Sequence, residues 1–182
     1  MKALDVFLRR WRVRLASEHV RSGDRLLDIG CFDRTLIDGV ADRITSAVGV
    51  DAEVAPSVDG AIRFERGRFP DDFDFPKESF DCIAALAVLE HVAEPDAFAS
   101  ACAEALTPGG RLVLTVPHPF VDRILDVLMA VGIADGMAAE QHHGFDVAET
   151  VPIFAKAGLR LEREERFQLG LNRLFVFTKP AG

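Results

Sequence analysis

Short runs of apolar residues alternate with amphipathic segments along most of the chain. Such runs are typical of strands buried on both faces of a parallel sheet. They predict seven strands, at residues 26–29, 47–50, 62–65, 80–86, 111–116, 159–167 and 171–178. Apolar residues at helical spacing predict helices at residues 35–44, 95–106, 121–131 and 149–157. This alternation predicts an α/β fold, a doubly wound and mainly parallel seven-stranded sheet with helices on both faces.

The last two predicted strands are joined by only a few residues. A parallel crossover needs about a dozen residues or more, so these strands are expected to pair as a hairpin that adds one antiparallel strand. The chain has 182 residues and shows no internal repeat, which predicts a single domain over residues 1–182.

Residues 1–22 are predicted to form an N-terminal amphipathic helix. The apolar side chains that share one face are Leu4, Phe7, Leu8, Trp11 and Leu15, and the basic ones on the remainder are Lys2, Arg9, Arg10, Arg12 and Arg14. The favoured interpretation is a helix that packs on the domain by its apolar face and leaves its basic face in solvent. The alternative is a lid over a bound ligand, or a contact for an acidic substrate or a membrane surface.

Composition narrows the function classes. The formal net charge of −8 disfavours nucleic acid as a partner, because phosphate binding needs a basic surface. No apolar run approaches the length of a membrane span and no signal-peptide pattern is found, which predicts a cytoplasmic protein without stable membrane insertion. The three cysteines have no metal-like spacing, so no metal site is predicted and a reducing compartment is expected.

Acidic residues lie at or near the ends of the first two predicted strands. Asp28 interrupts the first apolar run near its end, where it is expected to face a crevice, and Gly30 follows at a sharp turn. Asp51 ends the second strand, and its two oxygens match the two vicinal hydroxyls of a ribose. Glu53 is a weaker candidate for the ribose, and an ordinary turn aspartate is the plain alternative.

Four sequence blocks in order resemble the class I S-adenosylmethionine-dependent methyltransferases: LLDIGC, VGVDAE, FDFPKESFDCIAALAVLEHV and LTPGGRLVLTVP. They cover roughly residues 25–117, and the tail from GFDVAET onward is similar to that family's closing helix and strand pair. The resemblance implies a Rossmann-like methyltransferase fold, S-adenosylmethionine as cofactor, and an enzyme that methylates a small-molecule or lipid-like acceptor by in-line transfer.

The resemblance also implies a set of cofactor-binding residues. They are Asp28, Gly30, Cys31, Phe32, Asp51, Ala52, Phe69, Ala87 and Val88. Among them, Cys31 is interpreted as a small residue that packs beneath the cofactor rather than as a nucleophile. The ring of Phe69 is a candidate to flank the adenine.

Histidines near the ends of the fourth and fifth strands are the catalytic candidates. His118 is the first choice for a general base, should the acceptor need to lose a proton. Glu90 and His91 resemble the family's LEH element, and a pair that holds the loop is slightly favoured over a catalytic role. His142 and His143 are interpreted as an exposed loop pair.

Two other function classes remain open from the sequence. The family usually shows D-x-G-C-G-x-G in the first loop, whereas this chain has Phe32 and Arg34 at the last two glycine positions and Arg68 near the expected adenine-binding acid. These residues favour a non-catalytic binding or scaffold protein as the alternative. A nicotinamide oxidoreductase is disfavoured, because the G-x-G-x-x-G phosphate cradle is missing and Asp28 would repel a pyrophosphate.

Overall fold

The computed structural model describes residues 3–117 and 145–181, which form an eight-stranded mixed sheet with helices on its faces. The strands are β1 (Arg25–Ile29), β2 (Ser46–Asp51), β3 (Ser57–Asp59), β4 (Ile62–Arg66), β5 (Phe80–Leu86), β6 (Leu106–Pro117), β7 (Arg160–Phe167) and β8 (Asn172–Thr178). The helices are α1 (Ala3–Ser17), α2 (Thr35–Val40), α3 (Pro95–Ala105) and α4 (Thr150–Lys156).

The order of the strands places a switch point beside β1, where a crevice is expected at the carboxyl edge of the sheet. The sheet runs β3-β4-β2-β1-β5-β6-β8-β7, and the five strands from β4 to β6 in this order pair in parallel. The chain lays β2, β3 and β4 on one side of β1 and then crosses to place β5 on the other. Ligands of open α/β sheets bind at such a switch point, outside the carboxyl ends of the strands. The predicted fold class is confirmed.

One strand was not predicted from the sequence. Residues Ser57–Asp59 pair antiparallel with β4 through a two-residue connection that begins at Gly60, where φ is +56°. A glycine with positive φ at the first position is typical of a two-residue hairpin, so Gly60 was the available sequence signal. The predicted closing hairpin is confirmed, because β8 pairs antiparallel with both β6 and β7.

Two apolar clusters cover the two faces of the sheet. One contains Leu27, Ile83 and the buried faces of α3 and α4, and Phe98, Phe154 and Phe177 form a chain of contacting rings within it. The other packs α1 and α2 against the opposite face of β1 and β5. Burial of both faces explains why the central strands read as continuous apolar runs.

The orientation of α1 differs from the favoured prediction. The structure exposes Phe7 and Trp11, whose exposed fractions are 58% and 37%, and turns Arg9 and Arg12 towards the domain. The structure thus departs from the prediction at these four residues, whereas Leu15 packs against the core and Arg10 and Arg14 are exposed as expected. The physical reason is that acidic groups in the loops after β1 and β5 attract the inward arginines, an attraction that helical periodicity does not record.

The other helices differ from the predictions mainly at their ends. Helix α3 begins at Pro95 as predicted, and α4 ends at Lys156, one residue before the predicted end at 157. Helix α2 ends at Val40 rather than near residue 44. The predicted helix at 121–131 lies outside the described residues. No helix in the described part of the chain is long and apolar enough to cross a membrane.

The ring of Phe177 should be essential for stability. It is fully buried on β8 and contacts Phe154 at a centroid distance of 5.0 Å and Phe175 at 6.2 Å. We expect Phe177→Ala to lower the free energy of unfolding by about 3–5 kcal/mol, because it removes apolar contacts and leaves a cavity. Urea unfolding checks this, with the exposed Val58→Ala as control. A loss below about 1 kcal/mol for Phe177→Ala would contradict the packing described.

Candidate functional site

The loop after β1 approaches its neighbours closely at Gly30. The Gly30 N–H donates to the carbonyl oxygen of Val50 at 2.8 Å, which ties the loop to β2. A Cβ atom on Gly30 would lie 2.5 Å from Cγ2 of Val88, in the loop after β5. The φ angle of Gly30 is +74°, which also favours glycine. Gly30 therefore holds the ends of β1, β2 and β5 together.

A buried carboxyl group lies two residues earlier, at Asp28. Burial raises the pKa of Asp28 to about 8, and the nearby carboxylates of Asp33 and Asp51 contribute to this rise. Burying an ionised carboxylate is unfavourable unless a cation or hydrogen-bond donors compensate it. The surroundings of Asp28 are thus suited to a positively charged ligand and unsuited to a phosphate.

Asp51 lies at the end of β2, as predicted, and its carboxylate accepts hydrogen bonds from the loops after β1 and β2. Its Oδ2 accepts a hydrogen bond from the Phe32 N–H at 3.2 Å, and its Oδ1 accepts one from the Glu53 N–H at 2.7 Å. An ionised carboxylate has about four acceptor positions, so two of them are left for further donors. Asp51 therefore lies against the loop after β1 with acceptor capacity for a pair of hydroxyls, while Ala52 beside it is exposed.

Phe32 and Arg34 keep the backbone geometry that glycines would allow. Their φ angles are +31° and +65°, although both carry large side chains. The guanidinium of Arg34 lies over the Phe64 ring, 4.1 Å from its centroid, and donates to the Ala55 carbonyl at 2.8 Å. These two contacts hold the Arg34 side chain along the loop after β2.

Helix α1 contributes two arginines to the same edge, which the sequence interpretation did not include in the site. Arg9 forms an ion pair with Asp33 at 2.9 Å. Burial lowers the pKa of Arg12, and the nearby Glu90 carboxylate opposes this shift. The Nε atoms of Arg9 and Arg12 are buried and have no hydrogen-bond partner among the described residues. The available signal was their three-residue spacing, which places both on one face of the helix.

The loop after β5 forms the far wall of the crevice. Ala87 has a φ of +59° and donates its N–H to the Thr115 carbonyl at 2.9 Å, and Val88 follows against Gly30. Residues Leu89–His91 then make a single 3₁₀ turn, in which Glu90 is buried and His91 is exposed. The buried Glu90 beside Arg12 is consistent with the loop-holding interpretation of this pair.

Phe69 belongs to the loop after β4, and its ring is part of an aromatic cluster. Its ring stacks on Phe75 with centroids 6.1 Å apart and meets Phe98 edge-on at 5.6 Å. It remains half-buried, so one part of the ring is accessible. The backbone N–H of Arg68 donates to Asp72 at 2.7 Å, which holds the start of this loop.

The remaining candidates are Cys31 and three histidines that the structure does not describe. Cys31 is buried, and burial together with the Asp28 and Asp51 charges raises its pKa to about 12. A thiol with such a pKa is a poor nucleophile, in agreement with the packing role proposed for it. His118, His142 and His143 lie outside the described residues. Within the described ranges, no three His, Cys, Asp or Glu side chains cluster as metal ligands.

The geometry fits S-adenosylmethionine better than a dinucleotide. The crevice offers a buried carboxyl for a cation, acceptor oxygens for a ribose, and two unpartnered guanidinium N–H groups for a carboxylate. A pyrophosphate would instead meet the carboxyl groups of Asp28, Asp33 and Asp51. The fold and the site together define a Rossmann-like domain of the class I methyltransferase type.

The chain belongs to the methyltransferase domain family, whose model Methyltransf_23 matches residues 2–164. This confirms the family that the sequence blocks indicated. That the whole chain is one domain stays a prediction.

The curated relatives are O-methyltransferases. The chain is 31% identical to a ubiquinone biosynthesis O-methyltransferase of Bradyrhizobium over 61% of its own length and 47% of the relative. It is 30% identical to the protein of the same name from Xanthomonas axonopodis over 78% of its own length and 64% of the relative. The chain thus spans about half the length of the first of these relatives.

Solved structures share the fold at low sequence identity. A Haloferax volcanii methyltransferase in complex with the Trm112 activator superposes with a TM-score of 0.75 at 18% identity, covering 94% of this chain and 91% of that one. The [4+2]-cyclase SpnF superposes at 0.67 and 15% identity, covering 93% and 80%. Since a cyclase also has this fold, the fold alone does not decide the reaction.

Gly30 should not tolerate a side chain. We expect Gly30→Ala to lower the free energy of unfolding by about 2–4 kcal/mol, from left-handed backbone strain and from the contact with Val88. The double variant Gly30→Ala/Val88→Ala should relieve the contact but not the strain. Urea unfolding of both single variants and the double variant measures the coupling. If the losses of unfolding free energy in the two single variants sum to that of the double variant, the new side chain does not contact Val88, which would contradict the described packing.

Asp28 should make the stability of the free protein depend on pH. The folded protein retains this proton up to about pH 8, whereas the ordinary pKa of an aspartate side chain is 3.8, so the native state binds more protons between these values. Stability should therefore fall as pH rises from about 4 to 8, at up to about 1.4 kcal/mol per pH unit. Asp28→Asn should remove this component, as measured by urea unfolding at several pH values. Parallel pH profiles for the two proteins would contradict the assignment.

Proposed function

We propose that the protein is an S-adenosylmethionine-dependent methyltransferase that acts on a small-molecule or lipid-like acceptor. The observation that carries this proposal is the buried Asp28 carboxyl at the switch point of the sheet, where a cationic ligand would stabilise its charged form. The family membership and the names of the relatives support the same activity.

Each part of the cofactor has a suitable partner in the crevice. Asp51 would accept the ribose hydroxyls, and Asp28 would balance the positive charge of the ligand. The unpartnered Nε–H groups of Arg9 and Arg12 would donate to the carboxylate of the methionine moiety. Gly30 has no side chain that would extend into the site, and Val88 packs directly against it at the same edge.

Aromatic and small side chains of the site would hold the adenine. The accessible part of the Phe69 ring would flank one face of the base, with Ala52, Ala87 and Phe32 around the entrance. Cys31 would pack beneath the ligand as an inert thiol. None of these side chains carries a charge that would repel a cationic ligand.

When bound, S-adenosylmethionine supplies a methyl group that is already activated by its sulfonium. The chain's own residues then mainly have to align an acceptor in line with the methyl group and exclude water. A base is needed only for an acceptor that must lose a proton. His118, just after β6 in the sequence, stays the first prediction for that base, and His91 the second.

The relatives support an oxygen acceptor on a small or lipid-like molecule. Their names place them as O-methyltransferases of ubiquinone biosynthesis. The net charge of −8 is consistent with an acceptor that is not a nucleic acid. The acceptor is therefore proposed to be a small apolar molecule with a reactive hydroxyl.

The second candidate is a non-catalytic binding protein with the same fold. It is favoured by Phe32 and Arg34, which stand where the family usually has glycines, and by the existence of a cyclase with this fold. The main proposal is supported over it because Arg34 is held against Phe64 and Ala55, alongside β2.

Binding calorimetry should separate these candidates. We expect S-adenosylmethionine and S-adenosylhomocysteine to bind saturably and NAD not to bind. Asp51→Asn should weaken both by at least about tenfold, because it removes charge and one acceptor at the ribose. The matched control is Glu53→Gln, the neighbouring acid two residues on, which should leave affinity within about twofold.

The outcomes are distinct. Loss of binding in Glu53→Gln but not in Asp51→Asn would move the ribose to Glu53. Absence of heat with all three ligands at high concentration would contradict the enzyme proposal and favour the binding protein. Binding of NAD alone would favour an oxidoreductase.

A further inference from the structure

Helix α1 presents an aromatic and basic stripe to the outside. Phe7, Arg10, Trp11 and Arg14 are spaced by three or four residues and are all exposed. The Phe7 and Trp11 rings meet edge-on at 5.9 Å. Residues at this spacing lie on one face of a helix. No acidic residue between Ala3 and Ser17 shares this face, and the exposed Glu18 follows just beyond the end of the helix.

The turn between β7 and β8 extends this surface. Phe167 lies 6.4 Å from Trp11 between ring centroids, and the Gln168 side chain donates to the Leu8 carbonyl at 2.7 Å. Leu169, the next residue, is 99% exposed and has a φ of +59°. A fully exposed leucine beside an exposed Phe and Trp is unusual on a protein without a partner surface.

Charge complementarity identifies the partner as an anionic membrane surface. Arg10 and Arg14 are exposed basic residues, although the chain as a whole has a net charge of −8. Positive charge is therefore kept on the same face as the aromatic rings. Trp, Phe and Leu beside arginines are the composition of helices that lie in the membrane interface.

The opposite face of the helix lies on the candidate site. Arg9 and Arg12 reach the loops after β1 and β5 from that side. A membrane on the outer face would thus place the crevice close to the lipid headgroups. That arrangement suits an acceptor that is dissolved in the bilayer.

We propose that the outer face of α1, formed by Phe7, Arg10, Trp11 and Arg14 together with Leu169, docks on an anionic lipid surface. Docking brings the lipid-like acceptor of the proposed methyltransferase to its site, and this second part rests on the proposed function. The docking is reversible, because the apolar area is small and inserts only at the interface.

Trp11 reports on docking directly, because it is the one tryptophan of the chain. Vesicles of equal parts phosphatidylcholine and phosphatidylglycerol should shift its emission to the blue and carry the protein down in a sedimentation assay. Vesicles of phosphatidylcholine alone should bind at least about fivefold more weakly, since each basic residue near an anionic surface contributes roughly that factor.

Two pairs of substitutions test the surface. Phe7→Ser with Leu169→Ser should lower the partition coefficient at least about tenfold by removing apolar area. The matched control is Val58→Ser, which removes a 77% exposed apolar side chain from β3 at the distant edge of the sheet. Arg10→Gln with Arg14→Gln should weaken binding similarly, whereas Lys77→Gln with Lys156→Gln, which removes two other exposed charges, should not.

The outcomes separate this proposal from the cofactor site. Calorimetry with S-adenosylhomocysteine on the same variants should show unchanged affinity, because Phe7 and Leu169 lie outside the crevice. No emission shift with anionic vesicles, or equal partitioning of Phe7→Ser/Leu169→Ser and Val58→Ser, would overturn docking. A blue shift that follows protein concentration without lipid, with a dimer in light scattering, would overturn it in favour of a second copy. Vesicle binding without cofactor binding would keep the docking and contradict the proposed function alone.

Discussion

The candidate site depends on a buried carboxyl group whose negative charge the sheet does not compensate. Asp28 lies at the end of a strand buried on both faces, near two further carboxyl groups. Burial disfavours the charged form and raises the pKa of Asp28 to about 8, so the group keeps its proton at neutral pH in the free protein. A cationic ligand can take the place of that proton, whereas a phosphate would add to the repulsion. The proposed sulfonium ligand meets this electrostatic constraint.

The same excess of acid at the carboxyl edge explains the orientation of α1. Arginines on its inner face approach Asp33 and Glu90, and the aromatic residues that would normally pack inward are left outside. The helix is thus fixed by charge at the site and by Ala16 and Val20 at its base. The inner face of α1 thus lies on the candidate site, and its outer face forms the proposed membrane surface.

Much of this arrangement follows from the sequence, because parallel strands end at a shared edge. Asp28 and Asp51 each follow an apolar run, so their proximity was predictable, as was the turn at Gly30. The orientation of α1 was not, since periodicity treats Phe7 and Trp11 as core residues and ignores charges remote in sequence. The position of the Arg34 side chain could not be predicted either, because it depends on the Phe64 ring in β4 and the Ala55 carbonyl after β2.

Proton release on binding tests the central claim most directly. Titrations of S-adenosylmethionine at pH 7, in buffers that differ in ionisation enthalpy, measure how many protons leave the protein. With the pKa of Asp28 at about 8, the account predicts release of close to one proton per ligand, and none from Asp28→Asn. Binding with no net proton release in the unsubstituted protein would show that Asp28 does not balance the charge of the ligand.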